Sequence, residues 1–300
     1  MLRSGPIQKV TRSVSQFVPF IILCRLRQNE ILFYTSGSFW PMHCEVPAAP
    51  GKNRSPKILF VNDWTTMRPV NIEALITIAD QLDQLTIKYA FTGGSIVGLL
   101  LDNPQLAILR PTDDVDAIVE VMTWIDYTKV ESRLRDLGFQ HDISDGAPLC
   151  RWKFNDILVD VMPTHDTSGH FSDQWFQLAL DTSILHDIDG HSIRTVNASC
   201  FIATKLAAFA DRGKSDFMAS HDMEDIITLV DGRKSLVSEI EGSSPELRRY
   251  VASMFIKFLN QLTFLDALPG HLSPDEASRG RYPLVLQRLK ELAKSPEAGQ

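Results

Sequence analysis

An aspartate stands in the middle of an otherwise apolar run, Ile157-Leu158-Val159-Asp160-Val161-Met162. The length and β-branched content of the run predict a buried strand. A carboxylate centred in such a strand is costly to bury without a partner. A second apolar run, Val115 to Met122, carries two acids at its head, in Thr112-Asp113-Asp114-Val115-Asp116. Alternate side chains of a strand share a face, so Asp114 and Asp116 point one way and Val115 the other. Like charges so placed need a cation between them, a shared proton, or full solvation. Oxygen-only donors on a rigid strand suit Mg²⁺, which keeps waters and takes phosphate oxygens from a substrate. Asp160 on a neighbouring strand would complete a three-carboxylate metal site, of the kind that clamps attacking and leaving oxygens in phosphoryl or nucleotidyl transfer. The alternatives are a solvated strand end for Asp114 and Asp116, and Asp156 in the adjacent turn in place of Asp160.

The patterning around these runs is mixed. Residues 71–85 place Ile72, Leu75, Ile76, Ala79 and Leu82 at helical spacing. Residues 88–92 read as a short strand that runs into Gly93-Gly94-Ser95, with a helix from Ser95 to Leu101. Glycines between a strand and a helix let backbone N–H groups approach an anion, and the alternative is a plain tight turn. Residues 124–137 form a helix stopped by Gly138, and residues 149–154 and 157–162 a hairpin about Asn155-Asp156. Asp173 to Leu180 is a further helix, and residues 182–196 a second hairpin, about Asp189-Gly190. From 198 onward the chain reads as helices at 199–211, 221–230, 233–241, 245–262 and 281–294, with Ser244-Pro245 a good helix start.

Composition narrows the class. Of 300 residues 44% are hydrophobic and 22% charged, which excludes a disordered or many-spanning chain. The net charge of −7 excludes a histone-like binder that holds nucleic acid along its whole surface. The charge is uneven. Residues 1–57 hold eight Lys or Arg against Glu30 and Glu45, leaving 22 basic and 35 acidic residues for the rest. The apolar stretch 17–24 is too short to span a bilayer and contains Pro19, and no small-residue cleavage pattern follows it. Residues 1–68 therefore read as a poorly ordered extension and linker, with an upstream start ahead of Met42 or Met67 or a mitochondrial-type presequence as alternatives. Cys24, Cys44, Cys150 and Cys200 lie far apart with no C-x-x-C pair, as expected of buried or incidental thiols in a reducing cytoplasm.

Gly-Gly-Ser, then Asp-x-Asp on a strand, then a lone strand Asp resembles the polymerase-β-like nucleotidyltransferase pattern. Residues 110–116, Arg-Pro-Thr-Asp-Asp-Val-Asp, resemble the R-x-T-x-D-hydrophobic-D form of the AbiEii/AbiGii-type nucleotidyltransferases, toxin halves of type IV toxin–antitoxin pairs. Residues 201–216, with Lys205, Asp211 and Arg212, look like that family's helical Lys…Arg…Asp motif, and 220–226 like its next helix. The resemblance covers about residues 70–232. It departs in the eighteen residues between Ser95 and Asp114, and it has no role for the N-terminal extension.

The resemblance implies an α/β (α+β) fold: a mixed-sheet nucleotidyltransferase domain at 69–197 and a C-terminal α-helical domain at 198–300. It implies Mg²⁺, an NTP as co-substrate, tRNA or other RNA as acceptor, and a cognate antitoxin protein as partner. Gly93, Gly94 and Ser95 would hold the triphosphate with Lys205 and Arg212. Asp114, Asp116 and Asp160 would bind metal, and Asp211 would sit near the acceptor or orient Lys205. A small-molecule, antibiotic-type acceptor is the alternative within this class. A non-catalytic nucleotide-binding or partner-binding module on the same fold is the alternative outside it.

Each of these residues also has a bland reading. Lys205 lies among Phe201, Ile202, Leu206 and Phe209, where a snorkelling lysine is ordinary. Asp211, Arg212 and Lys214 would simply end a helix in solvent. Asp222, Glu224 and Asp225 occupy a helix's first turns, where the dipole favours acids. No H-E-x-x-H or zinc spacing involves the histidines, and no G-x-S-x-G elbow marks a nucleophile.

Overall fold

The computed structural model describes residues 26–27, 30–33, 57–60 and 70–294, apart from 105–106, 108, 166–173, 214–215 and 273–275. Met1–Met67 and Arg68–Gln300 are separate compact units. In the first unit, β2 (Glu30–Phe33) pairs antiparallel with β1 (Leu26–Arg27) and parallel with β3 (Lys57–Phe60). The rest of the expected extension, with Cys24 and Cys44, lies outside the described residues.

The second unit begins with α1 (Val70–Leu82), which buries Leu75, Ile78, Ala79 and Leu82. Next come β4 (Tyr89–Thr92), a 3₁₀ turn at Gly94–Ile96 and the short α2 (Val97–Leu100). β5 (Asp114–Val119) leads to α3 (Trp124–Asp136), which is capped by the Thr123 side chain accepting from the Asp126 N–H. A two-residue strand not expected from the sequence, β6 (Gln140–His141), precedes the hairpin β7 (Arg151–Phe154) and β8 (Ile157–Pro163). That hairpin turns on Asn155 at φ 53°, a left-handed conformation that asparagine tolerates well. α4 (Phe176–Asp181) and the hairpin β9 (Ile184–Ile188) and β10 (His191–Thr195) follow.

The seven strands β4–β10 form one mixed sheet in the order β6-β7-β8-β5-β4-β10-β9. β5 runs parallel to β8 and antiparallel to β4, while β4 runs parallel to β10. The expected α/β class with a mixed sheet is the one observed. Tyr127 of α3 donates a hydrogen bond to the Val161 carbonyl at 2.8 Å, tying that helix to β8.

The remaining helices are α5 (Ala198–Arg212), α6 (His221–Gly232), α7 (Leu236–Glu241), α8 (Pro245–Leu259), α9 (Leu262–Ala267) and α10 (Glu276–Leu292). α5 packs against α6, α7 and α8. The expected single helix at 245–262 is broken: the chain bends by 87° at Asn260-Gln261. The bend lets Phe264 pack on Phe217 and Phe258, with ring centroids 5.3 and 5.6 Å away. α10 starts five residues earlier than expected and carries Pro283 inside it. Among the described residues, no single helix is long and apolar enough to cross a membrane.

Candidate active site

Strand register sets the acids side by side. Asp160 on β8 is the cross-strand partner of Asp116 on β5, and Asp116 is the partner of Thr92 on β4. Directly paired residues share a face, and Asp114 lies two residues from Asp116 on that same face. On the other flank Asp160 pairs with Arg151 of β7. The Arg151 guanidinium lies along this row. Its Nε donates to Asp160 Oδ1 at 2.7 Å, and its Nη2 to Asp160 Oδ2 at 2.8 Å and Asp114 Oδ2 at 2.6 Å. Its pKa stands above the ordinary arginine value, chiefly through the hydrogen bonds to Asp160.

Asp116 receives no hydrogen bond from any described residue and lies next to two other carboxylates. Burial, then Asp114 and Asp160, push its carboxyl up to about 7, against the opposing pull of Lys205 and Arg212. The glycine turn closes on it. Gly93 has φ 72° and ψ −170°, a backbone conformation that disfavours any side chain, and a Cβ there would collide with Asp116 Oδ2. A Cβ at Gly94 would collide with Arg110 Nη2 and meet Thr112 Cγ2 at 2.6 Å. Gly93 is therefore required by its backbone and by what packs on it, whereas a side chain at Gly94 would displace the Arg110 guanidinium and Thr112. Ser95 is buried, and its hydroxyl donates to the Thr92 carbonyl at 3.4 Å.

Helices α5 and α6 supply the opposite wall. Lys205, at 7% exposure, pairs with Asp222 at 3.1 Å and Asp225 at 2.7 Å. Burial works against its ammonium, yet Asp225 and Asp222 hold its pKa above the ordinary lysine value. Arg212 closes on both oxygens of Asp222 at 3.0 Å, and Arg110 on both oxygens of Asp225 at 3.0 Å. The result is a chain of alternating charge, Arg110–Asp225–Lys205–Asp222–Arg212. Burial opposes ionisation of Asp222, but Arg212 and Lys205 keep its pKa below the usual carboxylate value. A narrow cleft between Gly94, Arg110, Glu224, Asp225 and Thr228 runs along this wall. Thr228 also lines a cavity of ≈ 280 Å³ bounded by Asp231, Arg281 and Arg288. The two arginines there are engaged, Arg281 with Asp231 and Arg288 with the Val230 and Asp231 carbonyls at the end of α6.

The fold thus brings Gly93, Gly94, Asp114, Asp116, Asp160, Lys205 and Arg212 to one place. Asp211 stands apart: it is exposed, and Asp222 and Asp225 hold Lys205 instead. Lys214 lies outside the described residues, and Asp156 is exposed in its turn. Three participants escaped the sequence reading. Asp222 and Asp225, read there as helix-start acids, are 5% and 2% exposed and serve as ion-pair partners. Arg151 was legible through the hairpin, because a two-residue turn at 155–156 places it opposite Asp160. Hard carboxylate oxygens at Asp114 and Asp116 suit Mg²⁺. Among the described residues, no three His, Cys, Asp or Glu converge on one ion position as arranged.

No protein-family model matches the chain, and no curated protein matches it in sequence. Its fold is similar to solved structures. One is an antigenic nucleotidyltransferase-like protein from Paracoccidioides brasiliensis, with 20% identity over 66% of this chain and 92% of that one, at a TM-score of 0.41. A second is the antibiotic-resistance factor ANT(2'')-Ia, with 13% identity over 64% of this chain and 95% of that one, at a TM-score of 0.40. The same factor in complex with adenylyl-2''-tobramycin gives 14% identity over 63% and 98%, at a TM-score of 0.37.

Proposed function

We propose that this chain is a divalent-cation-dependent nucleotidyltransferase that moves a nucleotidyl group from an NTP to an acceptor hydroxyl. The observation that carries this reading is Asp116: a crowded carboxyl packed on a glycine turn, with Lys205 and Arg212 facing it. Asp114 and Asp116 would hold the cation. Bound Mg²⁺ would supply charge neutralisation for the triphosphate and for the departing pyrophosphate. The Gly94 turn would offer backbone N–H groups to the phosphates. Lys205 and Arg212 would add positive charge from the helical wall. In the transfer, the acceptor oxygen bonds to the α-phosphorus and the bond to the β-phosphate oxygen breaks. The acceptor's proton passes to the carboxylate group, and pyrophosphate leaves.

The motif resemblance over 110–116, 201–216 and 220–226 favours RNA as the acceptor, tRNA included, with a toxin role and an antitoxin partner resting on the same resemblance. Purified protein incubated with Mg²⁺, α-labelled NTPs and bulk RNA should label the RNA. Labelling of an added aminoglycoside and not of RNA would replace the acceptor while keeping the reaction class. Labelling that survives Asp116→Ala unchanged would overturn the site.

A further inference from the structure

We propose that Arg151 is a positioning residue that stands in for a second cation: it keeps Asp160 out of metal coordination, so the site takes one divalent ion, at the Asp114–Asp116 pair. This rests on the nucleotidyltransferase reading above and deepens it.

Both oxygens of Asp160 accept from Arg151, Oδ1 from Nε at 2.7 Å and Oδ2 from Nη2 at 2.8 Å. One oxygen of Asp114 accepts from the same Nη2 at 2.6 Å. Asp116 accepts no hydrogen bond from Arg151, and its Oδ2 packs on the Gly93 turn. A metal ion brought up to Asp160 would stand beside a guanidinium held to that carboxylate by a two-point, charge-assisted contact. It would also push a guanidinium that cannot lose its proton away from two carboxylates.

The backbone keeps Arg151 where it is. Arg151 and Asp160 are direct partners in the β7–β8 hairpin, whose register the turn at Asn155 sets. Its carbonyl accepts from the Asp142 N–H at 2.9 Å, and its N–H donates to the Pro148 carbonyl at 3.0 Å. Side-chain exposure is 20% for Arg151 and 10% for Asp160, so water does little to replace the contact. The charge pattern agrees: three carboxylates on one sheet face hold one positive charge of their own and need one more cation, not two.

Mn²⁺ titration of the nucleotide-free full chain, followed by electron paramagnetic resonance, tests this. The wild type should bind one Mn²⁺, and Asp116→Asn should abolish binding. Asp160→Asn should leave the affinity within about threefold, because Asp160 is not a ligand. Arg151→Gln removes the guanidinium's repulsion and frees Asp160, so it should tighten Mn²⁺ about tenfold or admit a second ion, opposite in sign to the usual loss when a ligand's supporting partner is removed. Arg151→Lys should return toward one ion. Loss of binding in Asp160→Asn, two ions in the wild type, or an Arg151→Gln titration equal to wild type would each overturn the proposal while leaving the metal site in place. Should Arg151→Gln not fold, the Asp160→Asn arm decides alone. Unchanged binding in Asp116→Asn would overturn the nucleotidyltransferase reading itself.

Discussion

The two walls of the site hold their charges in opposite ways. On the helical wall three cations, Arg110, Lys205 and Arg212, share two acids, Asp222 and Asp225, and every one of these charges has a partner within 3.1 Å. On the sheet wall three acids share the single cation Arg151, and Asp116 has none in contact. The helical wall is a finished network. The sheet wall is two positive charges short. Buried charge is tolerated when it is paired and hydrogen-bonded. The first arrangement is balanced within itself, and the second is not.

The largest effects should come from breaking the unfinished side. Asp116→Ala should lower transfer by about 10²–10³-fold, the usual cost of removing one preorganised charge contact in an active site. Steady-state labelling at saturating Mg²⁺ reads this. The finished side should fail through folding instead. Asp225→Ala leaves Arg110 and Lys205 without a shared partner and should cost about 3–5 kcal/mol. Denaturant melts should show that loss with and without Mg²⁺ alike, since no cation can replace a carboxylate there.

The pH dependence of the two walls should also differ. Asp116 has its folded pKa raised to about 7 from 3.8. The folded chain therefore takes up its proton more readily than the unfolded one. That stability is fully present below about pH 4 and is lost as pH rises through about 7. Asp116→Asn should remove the loss, making the cation-free variant more stable than wild type at pH 8, by at most about 4 kcal/mol at about 1.4 kcal/mol per pKa unit. Mg²⁺ should raise the wild-type Tm more at pH 8 than at pH 6. Asp222, with its pKa held below the usual value by Arg212 and Lys205 against its burial, behaves in reverse. Its contribution is present above about pH 4 and fades in acid, so Asp222→Asn should weaken the protein at pH 7 and much less at pH 3. The smallest effect belongs to an exposed pair. Lys129→Ala breaks its contact with Asp126 on α3 and should cost less than about 0.5 kcal/mol.

Much of this was legible in residue order because its causes are local. Apolar runs of five to seven residues form β5 and β8, helical spacing forms α1, α3 and α5, and turn residues place both hairpins. Alternation alone puts Asp114 and Asp116 on one face. The glycine pair between a strand and a helix was legible too, though its reason was not. Gly93 is a glycine because its φ is positive and Asp116, 23 positions away, presses against it.

What the sequence determined by itself is the chemistry on each element: which strands carry acids, which helix carries a lysine, where the chain turns. Tertiary structure decided who meets whom. Sheet order placed β8 beside β5, so that Asp160 adjoins Asp116, and set Arg151 on the far flank. Helix packing turned Asp222 and Asp225 from helix-start acids into the partners of Lys205, and left Asp211 in solvent. The physical reason is range. Propensity and periodicity act over a few residues, whereas an ion pair depends on a distance of about 3 Å that only the closed fold defines.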